Sequence, residues 1–267
     1  MSIDVEEWHH ADLVRKRTTL DRHGSSLEAV KDIVRILDES SATATFFIVG
    51  QILRDCPEVG EVVADSGNEI AFHGFDHRPL WEMTPRLFDH EVRTFQCLLE
   101  PLGCKAVGYR APTASLDSRT LWALTVLQKE GFLYDSSIFP AKTPLYGVPL
   151  AKSYPHLLDC GIVEFPLLTI GVPPFRIPLG TGFWFRLFPL PVFQFAIRNR
   201  NKRGVPAIVS FHTWEYMGDA PNMHMDALSR ITFRYNLGEC RKRIRRIVSR
   251  YRFVSFRNFM EDSKITA

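Results

Sequence analysis

The sequence predicts an α/β chain whose strands form a parallel sheet or barrel, and three observations carry that expectation. Short apolar and β-branched runs alternate with helical segments of about 10–15 residues, the pattern of parallel βα units. Asp4, His73, Arg110, Asp135 and His212 all fall at the C-terminal ends of predicted strands. In a βα barrel those ends face one side, where active sites form. The length of 267 residues is ordinary for one barrel, and no internal repeat or low-complexity linker marks a domain boundary.

Taken in order, residues 2–5 form a short strand that runs into the acids Glu6 and Glu7. Residues 27–37 (LEAVKDIVRIL) space their apolar side chains for a helix, with Ser25 and Ser26 as candidate caps and Glu28 in the first turn. Residues 43–49 (TATFFIV) are β-branched and aromatic and end at Gly50, which predicts a buried strand. A helix over 57–64 is closed by Ser66 and Gly67, and a strand over 69–72 leads into His73. Helices over 86–102 and 118–130 then alternate with strands over 106–109 and 132–136. From 139 to 186 prolines and glycines predominate, so this stretch reads as long loops with one strand at 162–165. A helix over 193–201, a strand over 207–211 ending at His212, a basic helix over 237–250 and a last strand over 253–256 complete the chain.

The balance of 33 basic against 30 acidic residues, a formal charge of +3, gives no argument for a nucleic-acid partner. Residues 198–203 and 241–252 are locally basic. They suit solvated helix faces, with an anion- or membrane-facing surface as the alternative. Five cysteines without CxxC spacing suggest buried reduced thiols rather than a disulfide framework or a zinc knuckle. With no basic leader before an apolar run, and no apolar stretch of about 20 residues, the expected compartment is the cytoplasm.

His73 and His77 are spaced i, i+4 in FHGFDH, which puts two imidazoles on one side of a turn, able to share an ion. Alone the pair is a weak signal that suits two structural histidines better than a metal site. With a strand before it and an acidic strand end elsewhere, it reads as half of a divalent metal site, where two imidazoles and a carboxylate suit zinc or another first-row ion. Such an ion activates water and polarises a carbonyl, while a carboxylate takes the water's proton and an imidazole protonates a leaving amine. Asp4 and His212 are the candidates for those two roles.

These residues also carry a resemblance. SIDVE, HGFDH, GYRAP and SFHTWEY, in this order, resemble the polysaccharide deacetylase (NodB-homology) family. IPLGTGFWFRLFPL and FRYNLGECRKRIRRIV followed by FVSF look like the C-terminal extension of its exopolysaccharide-locus branch. The resemblance spans essentially the whole chain, with 1–267 as one domain and the extension from roughly 140 part of the same barrel. It implies a distorted (β/α)7-type barrel and hydrolysis of an acetamide on an amino sugar, in a surface or exopolysaccharide and on a lipid-linked precursor as one option. Carried over, Asp4 is the general base, His73 and His77 are metal ligands, Arg110 orients the base, a backbone amide near Thr113 holds the oxyanion, and His212 is the acid.

One departure stands out. The family's common first motif has two adjacent aspartates, the second a metal ligand, and here Val5 occupies that second position. Some relatives use an Asp-x-Asp/Glu pattern, which makes Glu6 the third ligand. In a strand Asp4 and Glu6 share a side and Val5 points away, with Glu7 the alternative if the strand has ended. Asp135 reads as a substrate or metal-site contact, Trp214 as a pocket wall, and Glu215 or Asp135 as the partner that keeps His212 protonated. His9, His10, His90, His156 and His224 fit no motif and read as surface or packing residues. The aromatic stretch 182–195 reads as core closing the barrel. Its alternative is a lip touching membrane or a lipid carrier at the inner face of the membrane, flanked by Arg186, Arg198 and Arg200. Two further functions stay open at this point: a related amide hydrolase (deformylase or cyclic amide or imide hydrolase), and an inactive carbohydrate-binding homologue.

Overall fold

The computed structural model describes residues 1–15, 24, 26–143, 146–218, 220–221 and 223–263. Ser25, a candidate cap, lies outside these residues. Among the described residues ten strands run in chain order as β1 (Ser2–Val5), β2 (Thr45–Ile48), β3 (Glu69–Phe72), β4 (Gly108–Tyr109), β5 (Tyr134–Asp135), β6 (His156–Leu157), β7 (Val163–Glu164), β8 (Thr169–Ile170), β9 (Ile177–Pro178) and β10 (Ser210–His212). The helices of the first half are α1 (Ser26–Glu39), α2 (Gly50–Asp55), α3 (Glu58–Asp65), α4 (Pro85–Leu99) and α5 (Trp122–Lys129). Those of the second half are α6 (Gly182–Leu187), α7 (Leu190–Asn201), α8 (Thr213–Met217), α9 (Ala227–Arg234), α10 (Cys240–Val248) and α11 (Phe256–Ser263).

Eight strands make one curled half-barrel sheet in the order β10-β1-β2-β3-β4-β5-β7-β6, parallel except for β6. This is the distorted barrel the sequence predicts. The chain beyond β7 returns toward the far edge, where Leu168 N donates to Ile208 O at 2.8 Å and Ser210 N to Gly180 O at 2.7 Å. Side chains alternate across the sheet. Ile3, Val5, Phe46, Ile48, Ile70 and Phe72 face outward into the core shared with the helices. Phe47, Ala71, Tyr134, Val163 and Phe165 fill the inside of the curl together with Phe256.

The stretch 139–186 holds more order than its prolines and glycines suggest. Besides β7 it contains β6, the antiparallel β8–β9 pair and α6. The last predicted strand is also corrected. Residues 253–255 are extended, but Phe256 begins α11 instead of continuing a strand. Two polar side chains capture the first amides of that helix: Phe256 N donates to Thr45 Oγ1 at 2.8 Å and Arg257 N to Glu69 Oε2 at 3.0 Å. The Phe256 ring then stacks on Phe165, 4.9 Å between centroids, and plugs the curl from below. All five cysteines are free, yet only Cys240 is buried and Cys97 is exposed, so burial is not what the thiols have in common.

Candidate active site

Register and alternation assemble the site. Asp4 of β1 is level with His212 of β10, and in a pleated strand Ser2, Asp4 and then Glu6 lie on the same side. Arg110, one residue beyond β4, points inward with them. Its Nη1 lies 2.6 Å from Asp4 Oδ1 and donates to the hydroxyls of Ser2 (2.8 Å) and Ser210 (2.7 Å). Its Nε and Nη2 donate to the carbonyl and hydroxyl of Ser136, and the guanidinium sits 4.2 Å over the Phe47 ring. Burial alone would raise the Asp4 pKa, but Arg110, then His73 and His212, outweigh it and hold the carboxyl below its usual range.

Glu6, His73 and His77 are buried and converge, with their ligand atoms all within 4.8 Å of one another. Glu6 Oε2 is 2.6 Å from His77 Nε2 and 3.9 Å from His73 Nε2. Glu6 Oε1 accepts from Trp214 Nε1 at 2.9 Å. His73 Nδ1 is 2.8 Å from the Arg110 carbonyl, a bond that assigns the proton to Nδ1 and leaves Nε2 as the free lone pair. Burial pushes His73 down to about 4, so it is neutral near pH 7, the form a metal requires. The donor set of two imidazoles and one carboxylate therefore fits a divalent ion. Glu7 turns away, its Oε1 accepting from Ser26 N at 3.0 Å. His10 is also buried, and its ring stacks on His77 with centroids 5.9 Å apart.

His212 faces this cluster from the side, its Nε2 3.6 Å from Asp4 Oδ2 and 4.0 Å from Glu6 Oε1. Its Nδ1 is 2.6 Å from Glu215 Oε2. Burial opposes the charged imidazole, yet Glu215, Glu6 and Asp4 together raise it to about 9. The Trp214 ring lies nearly parallel to it, 6.3 Å away. Two left-handed turns shape the floor. Gly74 (φ +74) and His77 (φ +56) turn the loop 73–77, while Thr113 (φ +57) and Ala114 (φ +46) turn the loop after β4. Non-glycine residues in this conformation cluster at functional sites. A Cβ on Gly74 would meet Pro112 Cγ at 2.9 Å, so the two turns pack tightly.

Asp4, Glu6, His73, His77, Arg110 and His212 all line one cavity of about 500 Å³, as do Thr113, Trp214 and Glu215. Asp135 does not line it. Tyr134 and Ser136 point inward, so Asp135 points outward, where its carboxylate accepts from Ser137 N and Oγ and faces Glu164 of β7. Its expected contact with substrate or metal, or with His212, is thereby corrected. Arg186 is corrected too. It does not flank a membrane lip but is buried, and its Nε donates to Glu215 Oε1 at 2.7 Å. Sequence reading missed the serines that bolt Arg110, although Ser2 and Ser210 share the strand parity of Asp4 and His212. It also missed Tyr146 and Trp184 in the cavity wall, for which spacing gave no signal.

A half-barrel thus carries a buried carboxylate–imidazole cluster at its strand ends, and comparisons show what the chain is similar to. Residues 19–132 match the polysaccharide deacetylase family, and residues 136–261 match a domain of unknown function. A peptidoglycan deacetylase-like protein of Gibberella zeae is 33% identical over 153 residues, which cover 50% of this chain and 44% of that protein, less than half the relative's length. Among solved structures, a candidate polysaccharide deacetylase from Mycobacterium smegmatis aligns with a TM-score of 0.67 at 21% identity, over 99% of this chain and 89% of the other. The CE4 domain of a multidomain xylanase from the hindgut metagenome of Trinervitermes trinervoides aligns at 0.50 and 12% identity, over 98% and 89% of the two chains. A CE4 family pseudoenzyme from Bacillus anthracis aligns at 0.50 and 10% identity, over 97% and 64%. At these identities the structures share the fold. Among the described residues no helix is long and apolar enough to cross a membrane.

Proposed function

We propose that the protein is a metal-dependent hydrolase that removes N-acetyl groups from an amino sugar in a surface polysaccharide or exopolysaccharide. Residues 1–267 then act as one deacetylase domain, whose C-terminal stretch supplies the acid and much of the cleft wall. The observation that carries the reading is the convergence of Asp4, Arg110 and His212 with the Glu6, His73 and His77 cluster on one cleft. In this reading Glu6, His73 and His77 hold a divalent ion, zinc or another first-row metal. When bound, the ion supplies Lewis acidity toward the acetamide carbonyl and the attacking water.

The chain's own residues do the rest. Asp4, kept ionised by Arg110, accepts the proton of water as the C–O bond forms. Protonated His212, held by Glu215, gives its proton to the leaving nitrogen as the C–N bond breaks. In this reading the backbone amide at Thr113, a residue of the cavity lining, stabilises the developing oxyanion. Tyr146, Phe183 and Trp184 offer apolar faces suited to a sugar ring. A lipid-linked precursor is supported by the exposed Leu187, Val192 and Phe195. Five free cysteines favour a reducing compartment, the cytoplasm, for the reaction.

The test is acetate release from N-acetylated oligosaccharides by the metal-loaded chain, with bound metal quantified in the same samples. Asp4→Asn is expected to lower kcat by about 10²–10⁴-fold, the usual worth of a positioned base. Full deacetylase activity in metal-free protein would sink the reading. So would hydrolysis of formamides or cyclic imides in preference to every acetylated sugar.

A further inference from the structure

The segment matched to a domain of unknown function contributes more than a wall to this site. Its helix α6 carries Gly182 and Arg186, four residues apart and therefore on one face. At one end a Cβ on Gly182 would meet His212 Cε1 at 2.9 Å, Nδ1 at 3.4 Å and Glu215 Oε1 at 3.7 Å. Gly182 also has φ +48, a conformation side chains rarely adopt. At the other end the Arg186 guanidinium, 1% exposed, donates from Nε to Glu215 Oε1 at 2.7 Å. Its two remaining nitrogens donate to the carbonyls of Thr232 (2.8 Å) and Tyr235. Thr232 belongs to α9, which lines the cleft with Leu228, Ser229 and Phe233. A buried cation is costly unless well paired, and this one spends every nitrogen on two tasks. It orients the carboxylate behind the imidazole and ties the cleft wall to it.

We propose that α6 is the positioning element of the acid, with Arg186 fixing the Glu215–His212 pair and Gly182 seating the imidazole from the other side. The inference rests on the deacetylase reading, in which His212 delivers a proton to the leaving nitrogen. Neither Arg186 nor Gly182 touches the reacting atoms. Both act through His212, so their loss must be felt where leaving-group protonation limits the rate and spared where it does not.

The experiment uses the metal-loaded full chain and two substrates: an N-acetylated amino-sugar oligomer, whose amine leaves only when protonated, and 4-nitrophenyl acetate, whose phenolate leaves unaided. Arg186→Met is expected to lower kcat on the acetamide by about 10²-fold, within the range of an acid's contribution, with KM little changed. Its aryl acetate turnover should fall by less than about threefold. Arg186→Lys keeps the buried charge but not the fork of donors, and should recover part of the loss. Gly182→Ala changes no charge and should show the same selectivity, so the test survives if Arg186→Met does not fold. Equal losses on both substrates in Arg186→Lys and Gly182→Ala, a change in KM alone, or undiminished acetamide turnover would overturn the inference. Failure of the wild-type chain to release acetate from the acetamide would instead overturn the deacetylase reading and take this inference with it.

Discussion

At the scale of single residues the site is organised by Arg110, whose buried guanidinium gathers Asp4, Ser2, Ser210 and Ser136. Arg110→Met removes the cation nearest to Asp4, 2.6 Å away against 3.6 Å for His212, and leaves a buried carboxylate without its guanidinium partner. The expected cost is about 3–5 kcal/mol of stability, the range for breaking a buried ion pair by removing one partner. Chemical denaturation reads it, and a loss below about 1 kcal/mol would show that the pair is held by something other than mutual charge. Much of this residue-level arrangement was legible beforehand, because strand parity alone separates Glu6 from Val5. The same parity, left uncounted at Tyr134-Asp135-Ser136, explains why Asp135 was expected in the cleft and is not there. Arg186 was illegible for a different reason. A cation beside aromatic residues looks the same in sequence whether it faces lipid or a buried glutamate 29 positions away.

At the scale of elements, α4 supports the loop between the two histidines. Glu91 is buried on that helix, and its Oε2 accepts from Phe75 N at 3.2 Å. Burial, then the nearby Asp76 carboxylate, pushes Glu91 up to about 7 from 4.5. The unfolded chain releases this proton near pH 4.5 and the folded chain near 7, so between them the folded state binds more protons and stability falls as pH rises. Glu91→Gln keeps an acceptor for Phe75 and removes the titration. It should flatten the stability profile over that window and gain on the order of 1–2 kcal/mol above pH 7. Thermal unfolding across pH 4–8 checks it, and parallel profiles for both proteins would contradict it. Elements with strong periodicity, α1 and β1 to β3 among them, could be read from sequence alone. The run 253–256 could not, because Thr45 and Glu69, far away in the chain, decide that Phe256 starts a helix.

Across the whole molecule the candidate metal ligands join parts distant in sequence. Glu6 follows β1, while His73 and His77 follow β3. Strand order makes them neighbours because only β2 stands between, a relation that parallel alternation already suggested. An unfolded chain cannot present these ligands together, so an ion bound here stabilises the folded state alone. At a free concentration of 100 times Kd the gain is about 2.7 kcal/mol. For a chain of this size that raises Tm by roughly 5–10 °C. His77→Ala should abolish the metal-dependent part of the shift, since it deletes a ligand from the cluster. Asp4→Asn should retain it, because Asp4 lies outside the ligand set while sharing the cleft. Differential scanning calorimetry of chelated and metal-loaded protein separates the two roles without an activity assay. An identical Tm with and without ion in the wild-type chain would show that Glu6, His73 and His77 form a structural hydrogen-bonded cluster. A shift that survives His77→Ala would move the ion to other residues.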